Sequence, residues 1–196
     1  MKVIIILSGL FVLFTGFQLY LAVSINKAEQ QKFELIKKEG ELEIRFYPEA
    51  IMATTYTTGK YRSTSRGGFQ TLAGYIFGSN DESKKIAMTA PVHMNFGDSA
   101  SMSFVMPSEY EMDELPTPVN KNVHLHKSQA RYVACIEFGG YADDNSIEKK
   151  SKELLKALKD QGLEHTGEIE YLGYNPPYQT VGRRNEVMVE LINYKR

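Results

Sequence analysis

Ile51-Met52-Ala53-Thr54-Thr55-Tyr56-Thr57-Thr58-Gly59 and Tyr132-Val133-Ala134-Cys135-Ile136-Glu137-Phe138-Gly139-Gly140 are two runs of one kind. Both are rich in β-branched and aromatic residues, which suit a pleated, half-buried chain, and both close on glycine, so each reads as a strand. Ala53 and Gly59 stand at the same spacing as Ala134 and Gly140. Working outward, the first run is preceded by Leu42, Ile44 and Phe46 alternating with Glu43 and Arg45, a strand ended by Pro48. It is followed by Phe69, Leu72, Ala73, Ile76 and Phe77 at helical spacing, stopped by Gly78-Ser79-Asn80-Asp81. Ile86 to Met94 and Ser101 to Met106 then read as strands. The second run has the same neighbours: a strand at Val123–Leu125, a helix through Ile147, Leu154, Leu155 and Leu158 ended by Gly162, and strands at Glu168–Gly173 and Glu186–Leu191. The chain is therefore two βαββ units repeated at about 80 residues, a period too long and too seldom repeated for a solenoid. The expected fold class is α+β: duplicated βαββ units forming one antiparallel sheet or barrel, with a helix from each half packed on it.

With 42% hydrophobic and 24% charged residues, the chain fits one globular domain with a real core. A net charge of −1 shows no nucleic-acid footprint. Cys135 is the one cysteine, so no internal disulfide can form, and its apolar strand setting reads as a small buried hydrophobe. Ahead of the domain, residues 3–23 are apolar, with Gln18 the one strongly polar member. As a helix this run spans about 32 Å, enough for a hydrocarbon core of roughly 30 Å. An uncleaved anchor is the reading its length favours; a signal cut after Ser24, with Ala22 and Ser24 as the small residues, is the other. The expected layout is a transmembrane anchor or signal in residues 1–24, a polar linker in 25–32 and a domain in 33–196. Lys27, Lys32, Lys37 and Lys38 after the span argue for an inside domain by charge. The short start with its lone Lys2 resembles an exported one, and export is the expectation.

The candidates for chemistry are few. His124 and His126 share one face of a strand, without a cysteine pair or helical carboxylate to complete a metal site, and read as a solvated face. His165 sits in a polar stretch that reads as a turn. There is no nucleophile elbow, phosphate-cradling glycine loop or zinc-protease motif. Met88, Met94, Met102, Met106 and Met112 cluster in the first half and suit either an irregular core or a broad apolar ligand. The other notable stretch is Gly173-Tyr174-Asn175-Pro176-Pro177-Tyr178, followed by Gly182-Arg183-Arg184-Asn185-Glu186-Val187. Two consecutive prolines exclude helix and central strand, so this is a stiff, extended surface loop with a basic end, the kind of segment that forms a binding edge.

Together with Lys85-Ile86-Ala87-Met88-Thr89-Ala90-Pro91-Val92 and Ser103-Phe104-Val105-Met106-Pro107-Ser108, that loop resembles the SOUL/haem-binding protein family over roughly Phe33 to Leu191. The resemblance implies a distorted antiparallel β barrel flanked by two helices. It also implies a non-enzymatic protein whose ligand is haem or a related tetrapyrrole, gripped between the first helix and the proline loop. On this chain those walls are Phe69, Leu72, Ala73 and Ile76, with basic Arg66 at the helix start in the propionate-pairing position, and Tyr174, Pro176, Pro177 and Tyr178 followed by Arg183 and Arg184. Where some members carry a proposed iron-binding histidine, this chain has Phe46, and Gln179 stands where others have a loop lysine. The expectation is thus binding by apolar contact and arginine–propionate pairing, with no obligatory axial ligand. Two other functions fit the residues: a module for other amphipathic small molecules, and a membrane-tethered scaffold for a protein partner.

Overall fold

The computed structural model describes residues 15–17, 28–57, 61–96 and 100–195, without the side chains of residues 62–64. The expected anchor, 3–23, lies outside the described residues save for 15–17; among the described residues no helix is long and apolar enough to cross a membrane.

In chain order the elements are β1 (Glu34–Glu39), β2 (Leu42–Tyr47), β3 (Ala50–Tyr56), α1 (Tyr61–Ile76), β4 (Val92–Asn95), β5 (Ser101–Val105), β6 (His124–Ser128), β7 (Arg131–Gly139), α2 (Asp144–Asp160), β8 (His165–Gly173) and β9 (Arg184–Leu191). The strands form one antiparallel sheet in the order β1-β2-β7-β9-β8-β4-β5-β3-β6, curled into a half-barrel. The duplication is visible in that order. Outward from the central β4–β8 pair run β5, β3, β6 on one side and β9, β7, β2 on the other. Exchanging β2-β3-α1-β4-β5 with β6-β7-α2-β8-β9 leaves this pattern unchanged. The first strand of each unit crosses over, β2 pairing with β7 and β6 with β3, which ties the two halves into one sheet. β1 is an addition outside the repeat.

Strand alternation decides what each face buries. Ala134, Ile136, Val187 and Val189 point to the helix side and pack with Leu72, Tyr75 and Ile76 of α1 and Leu154 and Leu158 of α2. α1 covers β3–β5 and α2 covers β7–β9. Val133, Cys135, Leu172 and Met188 point the other way, into a second cluster closed by Tyr47 and Tyr174. Buried among those residues, Cys135 has its thiol pushed well above the ordinary range, an unreactive hydrophobe as its setting suggests. The buried members of both clusters lie at or after Leu42, so residues 24–196 contain the whole described core.

The helix starts follow from local donors and acceptors. Asp143 caps α2 by accepting the Ser146 N–H at 2.7 Å. α1 borrows from α2: the Tyr61 N–H donates to Asp144 Oδ1 at 3.0 Å, joining the two helix starts.

Three expectations are corrected. α1 begins at Tyr61, so Arg66 lies inside the helix and not at its start. The run from Ile86 is not one strand: residues 83–89 are irregular and β4 begins at Val92, because Ala90 is taken up by a bridge to Gln30. His165 opens β8 and does not lie in a turn. The described part of the expected linker, 28–32, is docked: Gln31 N–H donates to Ala90 O at 2.8 Å and Ala90 N–H to Glu29 O at 2.9 Å.

Candidate functional site

Between α1 and the proline loop lies an open cleft of about 450 Å³. Its first wall is the α1 face bearing Tyr61, Ser65, Arg66, Phe69 and Gln70. These positions recur at intervals of four on a 3.6-residue helix and so share one side. Its floor comes from the central strand pair, Val92 and Met94 of β4 opposite Gly173 and Tyr171 of β8. The loop supplies Asn175, Pro177 and Arg183. The floor is rigid. Tyr171 packs edge-on to Tyr61 at 5.3 Å between ring centroids, and its hydroxyl donates to Asn185 Oδ1 at 2.7 Å. Burial pushes that phenol far above its ordinary range, so it stays neutral.

The charge of the cleft is one-sided. Among the described residues, two arginines line it and no carboxylate does. Arg66 is exposed and has no hydrogen bond or ion pair among the described residues, leaving its planar fork open to an anion. The duplication makes a counterpart cleft of about 590 Å³ between α2 and β8, also with an apolar floor, Phe96, Ile147 and Ile169. Among the described residues that one is edged by Asp144, Glu148 and Glu168 and by no arginine or lysine. The two clefts thus differ in the sign of the charges that line them among the described residues.

Of the residues expected at the site, Arg66, Phe69, Pro177 and Arg183 meet in the cleft. Leu72, Ala73 and Ile76 do not: they turn to the sheet and are buried in the core, because a helix only three to four residues round cannot show neighbouring positions to both sides. Tyr174 lies on the opposite face of the sheet, its hydroxyl donating to Glu186 Oε2 at 3.0 Å. Tyr178 is exposed on the outer side of the loop and does not line the cleft. Residue reasoning missed Tyr61, Val92 and Tyr171, and offered Met94 only as one of a cluster of methionines. Stepping back by four from Phe69 reaches Ser65 and Tyr61, and alternation along β4 selects Met94 over His93.

His93 is on the far face, where its Nδ1 lies 3.2 Å from Glu170 Oε2 and its Nε2 2.8 Å from Gln31 Oε1. It cannot reach a ligand in the cleft. Among the described residues no three His, Cys, Asp or Glu side chains are grouped to hold a metal ion. The cleft has an apolar floor, a helix wall bearing Arg66 and, among the described residues, no carboxylate in its lining. Met94 brings a thioether to the floor.

Comparison with known proteins gives the family. The family described as SOUL heme-binding protein matches residues 28–190. Heme-binding protein 1 of Xenopus laevis is 29% identical over 161 residues, covering 77% of this chain and 84% of that protein. Heme-binding protein 2 of Homo sapiens is 30% identical over 158 residues, covering 76% of this chain and 77% of that protein. Among solved structures, the EcmrR C-terminal domain superposes with a TM-score of 0.56 at 11% identity, covering 78% of this chain and 98% of that one, a likeness of fold alone. From its matched span and its relatives, this chain belongs to the SOUL heme-binding protein family.

Proposed function

We propose that the chain binds haem or a related tetrapyrrole in the cleft between α1 and the proline loop, as a carrier and not an enzyme. The observation that carries this reading is an apolar cleft that, among the described residues, no carboxylate lines and at whose edge Arg66 has no partner. A porphyrin is a large apolar disc with two carboxylates on one rim. Burying a few hundred Å² of it releases on the order of 10 kcal/mol at about 25 cal/mol per Å². Loss of translational and rotational freedom offsets much of this, and rim pairing adds a little back. Micromolar affinity corresponds to about 8 kcal/mol, within reach without an iron–protein bond. When bound, haem supplies the pigment and its iron; the chain supplies the slot, the orienting charge and exclusion of water from one face.

The apolar run 3–23 motivates a further part of the proposal: the domain is carried on an N-terminal anchor or released from a signal, on the extracytoplasmic side. Protease accessibility of the domain in intact cells tests the side.

Titration of haemin into residues 24–196 tests the binding. The expected result is a Soret band that shifts and saturates at one equivalent in the micromolar range. A band that keeps its free-haemin shape and position throughout sinks the proposal. Equal thermal shifts from tetrapyrroles and unrelated amphiphiles would instead favour a general effector module.

A further inference from the structure

We infer that Arg183 is a positioning residue, which holds the proline loop in shape as a wall of the cleft, while Arg66 is the residue that meets the anionic rim of the ligand. The inference rests on the tetrapyrrole reading and divides the work between the two arginines that line the cleft.

The division follows from counting donors. A guanidinium has five N–H groups in a rigid fork. Nη1 of Arg183 donates to Pro176 O at 2.6 Å and to Gln179 O at 2.8 Å. Nη2 donates to Asn175 O at 3.4 Å. Nε is buried without a partner and so closed to any ligand. The guanidinium carbon sits 4.4 Å above the Tyr141 ring, whose hydroxyl donates to Pro177 O at 3.2 Å. What remains for a ligand is a single Nη2 N–H, too little for the two-pronged grip that makes arginine a good carboxylate partner.

The loop in turn depends on that fork. Gln179 is its one fully buried side chain between Tyr174 and Asn185, so the centre of the loop is polar. Asn175 closes the two ends, its Oδ1 accepting the Arg184 N–H at 2.6 Å and its Nδ2 donating to Gln179 Oε1 at 2.9 Å. Gln179 Nε2 donates onward to Val181 O at 2.9 Å. Three carbonyls converge on Arg183, and a lysine ammonium, a point charge on a flexible stem, reproduces neither the planar fork nor the stacking on Tyr141. Arg66 stands in contrast, exposed and with no partner among the described residues.

The test uses residues 24–196 with Arg183→Lys and Arg66→Gln, two probes and one ligand-free measurement. The probes are haemin and haemin dimethyl ester, which keeps the disc and removes the rim charge. Arg183→Lys is expected to weaken both by the same factor, about tenfold, because the wall is no longer preorganised. It is also expected to speed hydrogen exchange of the amides between 175 and 184 relative to those of β7 and β9. Arg66→Gln is expected to weaken haemin about three- to fivefold and to leave the ester unchanged, with loop exchange as in the wild type. Wild-type haemin affinity in Arg183→Lys, a loss confined to haemin over its ester, or unchanged loop exchange overturns the inference. Should the unsubstituted protein bind neither probe, the tetrapyrrole reading fails, and the exchange measurement alone still decides whether Arg183 holds the loop.

Discussion

Glu186 is fully buried and yet accepts from Arg45 Nη1 and Nη2, Tyr174 Oη, and Arg184 Nε and Nη2. Burial alone would push its carboxyl up; the hydrogen bonds and charge of Arg45, then of Arg184, reverse that and hold it below the usual range. This one carboxylate joins β2, β9 and both ends of the proline loop. Arg45, 2% exposed, would keep Glu43 as its remaining anionic partner if Glu186 lost its charge. Glu186→Gln is therefore expected to lower stability by about 3 kcal/mol, while Tyr174→Phe, which removes one neutral donor, costs about 1 kcal/mol. Urea unfolding midpoints compare the two, and an equal effect would mean that the charge is not what matters. Glu170 gives a pH signature. Burial again acts upward, but the hydrogen bond from His93 and the ion pair with Arg131 bring its carboxyl down to about 2. A carboxyl lowered on folding stabilises the fold fully above its unfolded value of 4.5, and that contribution drains away as pH falls toward 2. The expected loss over this window is about 3 kcal/mol. Acid titration of the unfolding free energy checks it: Glu170→Gln should flatten the curve in that window, and an unaltered slope would show that other carboxylates set acid stability.

At the scale of elements, α1 serves the ligand with one face and the core with the other. Phe69 is 38% exposed, its ring 5.5 Å from that of Phe104, whereas Leu72 is fully buried. Leu72→Ala should cost about 3 kcal/mol of stability and leave haemin affinity of the folded protein within about twofold. Phe69→Ala should do the reverse, costing about 1 kcal/mol or less while weakening haemin several-fold. Paired melting and titration curves read both, and matching profiles for the two variants would remove the two-faced account of α1. The same helix shows why some of this was legible in the sequence. The spacing of Phe69, Leu72 and Ile76 marks a helix, but spacing cannot say which flank of the apolar stripe meets the sheet. The first two turns, Tyr61 to Gly68, are largely polar and carry no period, so the start was read late. β1 escaped for a related reason: Glu34–Glu39 is an edge strand, exposed on both faces apart from Ile36, and has no alternation to detect. β2, β7 and β9, which are buried, were plain in the pattern. Two prolines and a basic end mark the loop as a binding edge, but such a pattern does not show where the donors and acceptors of Tyr174 and Arg183 go.

Over the whole molecule, the duplicated units share a sheet but not a charge, and the segment ahead of β1 straps that sheet on its far face. Glu29 and Gln31 bracket Ala90 through backbone hydrogen bonds, Glu29 Oε1 accepts the Ser108 N–H at 3.0 Å, and Gln31 Oε1 meets His93. Phe33 then lies under the Arg45 guanidinium at 4.2 Å and 5.4 Å from the Tyr47 ring. Through Arg45 the strap touches the Glu186 network that fixes the ends of the proline loop, so the stretch nearest the N-terminal apolar run and the cleft wall share one set of buried polar contacts. Each hydrogen bond contributes on the order of 1 kcal/mol, and ordering the strap takes back roughly half of the total. Starting the chain at residue 34 in place of residue 24 is thus expected to lower stability by about 2 kcal/mol, with the core intact since its buried members begin at Leu42. If the strap supports the wall as well as the sheet, loop amides between 175 and 184 should exchange faster in the shorter chain while those of α2, on the opposite face of the sheet, keep their protection. Equal stability of the two chains would make the strap a passenger. A uniform loss of protection across the loop and α2 alike would mean that it steadies the sheet without any particular hold on the cleft.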